Sequence, residues 1–151
     1  MKTVVQRVSR ASVTVDDRVV SRIGHGLLIL LGVSSEDQAV DAETLGSKLA
    51  GLRIFPDESG LMNRSVVEAG GEALVVSQFT LYGETRRGRR PSFGGAARPE
   101  AAVPLIDLVC EVMRLRGITV YEGSFGAQMQ VELVNDGPVT LVIETRDGRV
   151  V

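Results

Sequence analysis

The chain has 151 residues, of which 44% are hydrophobic and 24% are charged, so its length and composition are those of one ordinary soluble domain spanning residues 1–151. Its formal net charge is −2, whereas a protein dedicated to binding duplex DNA or RNA is usually strongly basic, because neutralised phosphates supply most non-specific affinity. The charge therefore argues against a dedicated duplex binder, and any contact with nucleic acid has to be local and brief.

Cysteine usage and the apolar runs bear on the compartment. Cys110 is the single cysteine, so neither an intrachain disulfide nor a cysteine cluster for zinc is possible. The opening residues lack the long apolar region of a secretory signal, and the longest apolar run, Leu27 to Leu31, is far too short to span a membrane. We therefore expect a cytoplasmic protein that does not enter a membrane.

Alternation of apolar and polar residues predicts many strands. In the first third of the chain they are expected at residues 3–8, 12–15, 19–23 and 27–33. The later ones are expected at residues 73–79, 119–121, 128–134 and 139–144. Asn135-Asp136-Gly137-Pro138 joins the last two strands, and these turn-forming residues predict a hairpin.

Two segments repeat apolar residues at helical spacing. One follows the acidic start Ser34-Ser35-Glu36-Asp37, and the other runs from Pro99-Glu100 to about Arg116. Their apolar positions are Ala42, Leu45, Leu49 and Leu52 in the first helix and Val103, Ile106, Cys110 and Met113 in the second. The predicted fold class is therefore mixed α/β, a strand-rich domain of mostly antiparallel, curled sheets tending to a barrel, with two main helices packed on them.

Residues that usually carry enzyme chemistry are sparse. His25 is the single histidine and stands between two glycines, which is more typical of an exposed turn than of a catalytic triad or a zinc site. No glycine-rich dinucleotide motif or P-loop is present. Cys110 falls on the apolar face of the second helix and is expected to be buried. An enzyme with this sequence has to work without a metal, a redox cofactor or a strong general base.

Two adjacent stretches combine polar and cationic residues. Ser77-Gln78-Phe79-Thr80 ends an otherwise buried strand, which fits either a functional site or a strand end whose side chains satisfy nearby backbone groups. The loop that follows carries four arginines within five positions, Arg86, Arg87, Arg89 and Arg90. Arginine suits bidentate contact with phosphate, so the loop is either a phosphate-binding segment or a solvated surface loop. Such a concentration of positive charge in a net acidic chain favours phosphate contact.

A third stretch runs from Gly123 to Val131 and on to Thr140. Beside a plain hairpin, its Gly137–Pro138 bond allows a cis peptide, which would turn two successive carbonyls in one direction. Ser-Gln-Phe-Thr-Leu at 77–81 and Asn-Asp-Gly-Pro-Val-Thr at 135–140 together resemble the paired signatures of the D-aminoacyl-tRNA deacylases. The resemblance extends to the opening Met-Lys-Thr-Val-Val-Gln-Arg-Val, to Arg-Arg-Pro-Ser-Phe at 89–93 and to Phe-Gly-Ala-Gln-Met at 125–129, so it spans essentially the whole chain.

The resemblance implies a homodimeric enzyme, with active sites at the subunit interface and no cofactor, that hydrolyses the ester of mischarged D-aminoacyl-tRNA. Ser77, Gln78, Phe79 and Thr80 would line one side of the pocket, and backbone N–H groups there, that of Phe79 especially, would serve as oxyanion donors. The resemblance further implies that Gly137 and Pro138 enter the other subunit's pocket. Phe125, Ala127 and Met129 would contact the substrate, with Phe125 and Met129 helping to hold the terminal adenosine.

The same resemblance implies that the 2′-hydroxyl of the tRNA assists the reaction, so that no histidine is needed. Ser77 and Thr140 are alternative protein nucleophiles, although neither has an obvious base in the sequence. A rigid carbonyl placed where an L side chain must go would exclude L-aminoacyl groups. Glycine has no side chain to reject, so glycyl-tRNA, including glycine misattached to alanine tRNA, is a further expected substrate.

Two interpretations from other classes remain open at this point. In the first, the protein binds RNA ends without catalysis, and the arginine loop together with Phe79, Phe93 and Phe125 serves phosphate contact and stacking. In the second, it is a structural dimer whose glycine-rich turns only shape an interface. Catalytic release of amino acid from D-tyrosyl-tRNA would distinguish the enzyme from both.

Overall fold

The fold is built outward from one long central strand. The computed structural model describes residues 1–86 and 88–151. In chain order its elements are β1 (Lys2–Val15), β2 (Arg18–Ile23), β3 (Gly26–Gly32), α1 (Ala39–Ala50), β4 (Phe55–Pro56), β5 (Met62–Arg64), β6 (Glu72–Ser77), a 3-10 helix (Phe79–Tyr82), α2 (Pro99–Leu115), β7 (Val120–Glu122), β8 (Gln130–Arg146) and β9 (Arg149–Val150).

Strand β1 is continuous, although the sequence predicts two shorter strands at residues 3–8 and 12–15. Its alternation breaks at Ser9 and Arg10, which are both exposed, and the register with β8 shifts on either side of Val8. Bulges of this kind bend a strand without ending its ladder, because the hydrogen bonds resume on the other side. The two predicted strands are therefore the two arms of one bent strand.

The predicted hairpin at residues 135–138 is wrong, because β8 runs straight through it and pairs antiparallel with β1 on both sides. Gln6 pairs with Thr140 and Val8 with Asn135, so the residues between bulge out of the ladder. The Asn135 side chain holds this bulge, since its Oδ1 accepts the N–H of Val139 at 2.7 Å. The turn-forming residues thus make a bulge rather than a reversal. The Gly137–Pro138 bond inside it is cis, as the sequence allowed.

The main sheet has the order β7-β6-β3-β1-β8-β9, with β2 also paired to β1. The β3–β6 and β6–β7 pairs are parallel and the remaining pairs are antiparallel, so the predicted mostly antiparallel character is confirmed. The sheet curls until β2 meets β7, where the Ser21 hydroxyl donates a hydrogen bond to the carbonyl of Glu122. One apolar core lies between the sheet and the helices and a smaller one lies inside the curl. The mixed α/β class with a curled sheet and two helices is confirmed.

Helix α2 follows the predicted bounds closely, and its Ile106, Cys110 and Met113 are buried. Helix α1 begins at Ala39, later than predicted, because Asp37 binds elsewhere. Its carboxylate accepts the N–H of Ser34 at 2.6 Å and the ammonium of Met1 at 2.6 Å. The residues after Ser34 are therefore held in a turn, and the helix starts one residue after Gln38.

Three smaller predictions have clear outcomes. His25 is exposed, as expected for a histidine between glycines. Cys110 is fully buried, and burial raises the pKa of its thiol to about 12, so it is an apolar core residue. The strand predicted at residues 73–79 ends at Ser77, because Phe79 already begins the 3-10 helix. In the described part of the chain, none of the helices has the length and apolar character needed to cross a membrane.

Candidate active site

The candidate site begins where β6 ends. The N–H of Gln78 donates to the carbonyl of Leu31 at 2.8 Å, which is the last bond of the parallel ladder with β3. The chain then turns into the 3-10 helix, whose first N–H groups have no acceptor within the helix. Within residues 1–86 and 88–151, the N–H groups of Phe79 and Thr80 find no backbone acceptor. The turn therefore presents two adjacent backbone donors at the surface.

Two cavities lie on opposite sides of this turn. The larger, of about 380 Å³, is mostly apolar and lies between the ends of β3 and β6, the start of α2 and the segment around Phe125. The smaller, of about 240 Å³, opens onto the core inside the curl and is lined by Ala127 and Met129. Ser77, Gln78 and Phe79 line both cavities. Six of the predicted site residues are thus brought together: Ser77, Gln78, Phe79, Phe125, Ala127 and Met129.

Thr80 joins this group through a side-chain hydrogen bond. The Gln78 amide donates to the Thr80 hydroxyl across the first turn of the 3-10 helix. Phe79 is 57% exposed, which is high for a phenylalanine and places this residue at the surface. The polar residues that interrupt the end of β6 therefore surround the free donors rather than satisfy them.

Gly137, Pro138 and Thr140 are not brought to the cavities of the same chain. Ser77 lies on β6 and Thr140 on β8, with β3 and β1 between them, so three strand spacings, about 14 Å along the sheet, separate the two strands. The two residues are also offset along the strands. Ser77 pairs with Leu31 of β3, which in turn pairs with Thr3 of β1, whereas Thr140 pairs with Gln6 of β1. Among the described residues of one chain, Ser77 and Gly137 therefore do not line the same one of these cavities.

The bulge that carries Gly137 is fixed by Arg7, a residue that the sequence reasoning missed. Its Nη1 donates to the carbonyl of Ile54 at 2.6 Å and its Nε to the carbonyl of Asp136 at 2.8 Å. The Arg7 side chain is only 11% exposed. The sequence does contain a signal for this role. Arg7 continues the alternation of Thr3 and Val5 along β1, which places its side chain on the inward face of the strand.

Thr140 has its hydroxyl oxygen engaged as an acceptor. It accepts from the Asn135 amide at 2.9 Å and from the Gln6 amide at 3.3 Å. Neither amide acts as a base at neutral pH, so neither of these contacts activates the hydroxyl as a nucleophile. Its contacts are those of a residue that braces the bulge.

The arginine loop leaves and rejoins the body at one point. Glu84 and Ser92 exchange both backbone hydrogen bonds, at 2.8 and 3.1 Å. The carboxylate of Glu84 also accepts the guanidinium of Arg86, and this bond lowers the pKa of Glu84 to about 2. Arg89 and Arg90 are exposed, whereas Arg87, predicted to contact phosphate, lies outside the described residues. Part of the charge of Arg86 is therefore offset within the protein.

The last feature of the site is the placement of side chains that could bind a metal ion. In the portion of the chain that the structure describes, no three His, Cys, Asp or Glu side chains are placed to hold a metal ion together. The site is instead made of backbone donors, aromatic rings and small residues. The fold and the site together define a small α/β protein with a donor-lined aromatic pocket at a strand end.

Comparison with known proteins assigns the family. Residues 4–144 match the family model described as D-Tyr-tRNA(Tyr) deacylase. A D-aminoacyl-tRNA deacylase of Chloroflexus aurantiacus is 59% identical over 149 residues, covering 99% of this chain and 93% of the relative. One from Roseiflexus sp. is 59% identical over 145 residues, covering 96% of this chain and 94% of the relative. The chain therefore belongs to the D-aminoacyl-tRNA deacylase family, and the resemblance found in its sequence is confirmed.

A solved structure supports the fold assignment. It is titled c-Myc DNA Unwinding Element Binding Protein, and it superposes with a TM-score of 0.89 at 43% sequence identity. The match covers 97% of this chain and 99% of that chain. The curled sheet with its two helices is thus shared almost from end to end.

Proposed function

We propose that the protein hydrolyses the ester of D-aminoacyl-tRNA, releasing the free amino acid and the tRNA, and that it does so in the cytoplasm as one domain without a cofactor. The observation that carries this proposal is the pair of free N–H groups at Phe79 and Thr80, placed between two cavities in a chain of this family. Such donors suit the oxygen of an ester carbonyl, which gains negative charge as water adds.

The chemistry asks little of the side chains. Water adds to the ester carbonyl, the bond to the ribose oxygen breaks, and that oxygen leaves with a proton. Removing one oxyanion donor costs about 3 kcal/mol in a serine protease, so two backbone donors would supply a useful acceleration here. The neighbouring 2′-hydroxyl of the tRNA is well placed chemically to assist, which fits a site whose residues include no histidine or lysine.

The large cavity suits the terminal adenosine. Three of the four phenylalanines of the chain, Phe79, Phe93 and Phe125, line it. Aromatic rings around a mostly apolar cavity stack well on a nucleobase. Met129 and Ala127 lie on the other side of the turn, where they would contact the ribose or the amino acid.

We expect replacement of Ser77 or Thr140 to leave substantial activity, because neither hydroxyl is the nucleophile in the proposed reaction. Ser77→Ala and Thr140→Ala should each retain deacylation within about tenfold of the wild type. Single-turnover assays on D-tyrosyl-tRNA would measure this. Complete loss in either variant with the fold intact, or an acyl-enzyme trapped on either residue, would instead establish covalent catalysis.

A second copy of the chain is proposed to complete the site, because Gly137 and Ser77 lie too far apart in one chain. An uncovered sheet face supports this: Val142 is 65% exposed, Val4 lies opposite it on β1, and Leu30 lies opposite Val4 on β3. Thr140 is on the same face, two residues from Val142. Pairing through this face would bring the bulge of one copy towards the cavities of the other.

Val142→Asp is expected to convert a dimer into a monomer and to remove activity with it, because a carboxylate buried in an apolar interface has no partner. Sedimentation velocity would report the mass. Leu115→Asp is the matched control, since Leu115 is also exposed, at 79%, but lies at the end of α2. A monomeric wild-type protein with full activity would overturn the shared site.

Chiral selection is proposed to rest on exclusion by the bulge. Carbonyls of Gly137 and Pro138, supplied by the other copy, would occupy the space that an L side chain needs. A D side chain would point away, and glycine would have nothing to reject. We therefore expect D-aminoacyl-tRNA and glycyl-tRNA, including glycine on alanine tRNA, to be cleaved and L-aminoacyl-tRNA to be spared.

The arginine loop is proposed to contact tRNA phosphates. Replacing Arg86, Arg87, Arg89 and Arg90 with Ala should weaken cleavage of tRNA substrates but not of aminoacyl-adenosine, which lacks those phosphates. Each lost phosphate contact should reduce the dependence of log K on log salt by about 0.7–0.9. Equal salt slopes for the wild type and the variant would show that the loop is a solvated surface segment.

The decisive experiment for the function compares matched D-tyrosyl-, L-tyrosyl- and glycyl-tRNA as substrates. Catalytic concentrations of the protein should release D-tyrosine and glycine and leave the L ester intact. Release that stops at one amino acid per protein, or tight binding without release, would favour the RNA-end binding module instead.

A further inference from the structure

Phe93 lines the large cavity, and it also lies where the arginine loop closes, a position that stacking on a base does not require. It follows Ser92, the residue that closes the arginine loop by exchanging backbone hydrogen bonds with Glu84. Its own carbonyl accepts the N–H of Ala96 at 3.1 Å, and the N–H of Ala97 then donates to the carbonyl of Val33 at 2.9 Å. The backbone of Phe93 is therefore tied to the body of the protein on both sides.

The Phe93 ring reaches both ends of the 3-10 helix. It meets the Phe79 ring edge to face, with centroids 5.1 Å apart and planes at 72°. At the other end it packs over Gly83, where an added Cβ would lie 3.1 Å from the Phe93 ring and 3.0 Å from the carbonyl of Thr80. A glycine is thus needed to let the ring come so close.

The edge-to-face contact with Phe93 holds the Phe79 ring in place. Phe79 is 57% exposed and Phe93 is 38% exposed, so neither ring is held by a surrounding core. An edge-to-face pair has a preferred geometry and resists rotation of either ring. Because this pair restricts the Phe79 side chain, it also limits movement of the backbone that carries the Phe79 N–H, beside the two cavities that Phe79 lines.

We infer that Phe93 is a positioning residue for the reaction, acting through its ring on Phe79 to keep the oxyanion-binding N–H in place. This inference rests on the proposed function. It gives Phe93 a role in the chemical step, whereas a ring that only walled the cavity would act on substrate binding alone.

The test compares Phe93→Ala with Phe93→Tyr, which keeps the ring. We expect Phe93→Ala to lower kcat about threefold to tenfold on both D-tyrosyl-tRNA and D-tyrosyl-adenosine, the range that an aromatic pair is worth. Phe93→Tyr should restore kcat to within about twofold of the wild type. Phe125→Ala enlarges the same cavity without touching the Phe79–Phe93 pair, so it should act mainly on KM.

An activity-independent measurement accompanies the kinetics. The order parameter of the Phe79 amide, measured by nuclear magnetic resonance relaxation, should fall in Phe93→Ala and stay at the wild-type value in Phe93→Tyr. A raised KM with unchanged kcat, an effect on the tRNA substrate alone, or an unchanged order parameter of the Phe79 amide in Phe93→Ala would each overturn the inference. A wild type that cleaves no D-aminoacyl ester would refute the proposed function, and the amide measurement would still decide whether Phe93 holds Phe79.

Discussion

Gly137→Ala should reduce cleavage of D-aminoacyl-tRNA by about a hundredfold or more, the largest functional effect we expect from adding a single methyl group. Gly137 has a φ of +153°, and a Cβ there would lie 2.6 Å from the backbone nitrogen of Val139. A backbone atom cannot rotate away as a flexible side chain does, so the bulge itself must shift. Steady-state kinetics on D-tyrosyl-tRNA and L-tyrosyl-tRNA would measure the loss and should show no gain on the L substrate.

Gly117→Ala is the control for backbone strain. Gly117 also has a positive φ, of +87°, but an added Cβ there would meet nothing within 4 Å. It should lower the free energy of unfolding by about 1 kcal/mol and leave activity intact. If Gly137→Ala behaved in the same way, the position of the bulge would be irrelevant to catalysis.

Arg7→Ala should lower both stability and activity, because the Arg7 side chain links the bulge to the segment before β4 through hydrogen bonds to the carbonyls of Asp136 and Ile54. Charge-assisted hydrogen bonds are each worth about 1.5–3 kcal/mol, and the variant leaves the carbonyls of Ile54 and Asp136 without their donor. We expect a loss of about 2–4 kcal/mol in the free energy of unfolding, with an activity loss of about tenfold or more in the protein that remains folded. Urea unfolding and kinetics below the transition would separate the two effects.

Arg10→Ala is the matched control on the same strand. Arg10 is 65% exposed and its guanidinium lies 3.8 Å from the carboxylate of Glu132, a surface pair worth little. Arg7→Lys should recover only part of the loss, since one ammonium does not present the spaced N–H groups that Arg7 directs at two carbonyls. Equal losses of stability and activity in Arg7→Ala and Arg10→Ala would contradict the role of Arg7 in holding the bulge.

Local patterns predicted most of the elements. Helix α2 was readable because its apolar face repeats every three to four residues between a proline start and Gly117. The bulge at Asn135 could not be predicted in this way, because turn-forming residues indicate only that the chain departs from a regular strand. Whether it reverses or bulges depends on long-range contacts, here the pairing of both halves of β8 with β1 and the support from Arg7.

The candidate site was predictable in its residues but not in its arrangement. The polar end of β6 drew attention to Ser77 and Gln78, and resemblance added Phe125 and Met129. The sequence alone could not tell that Gly137 lies several strands from Ser77, since strand order follows from which faces are buried together. Phe93 was noticed only as an aromatic residue for stacking, because its contact with Phe79 exists only once the arginine loop closes.

The central place of β1 also bears on how the chain is assembled during synthesis. The ammonium of Met1 donates to the carbonyl of Thr145, a hydrogen bond between groups 144 residues apart. Strand β1 is therefore made long before β8, and both of its edges are paired only when β8 has been made. Loop closure over such a separation slows folding, and an unpaired, apolar strand invites association with other chains. Nascent chains of this protein are accordingly expected to depend on early pairing of β1 with the nearby β2 and β3, which protects one edge until β8 arrives.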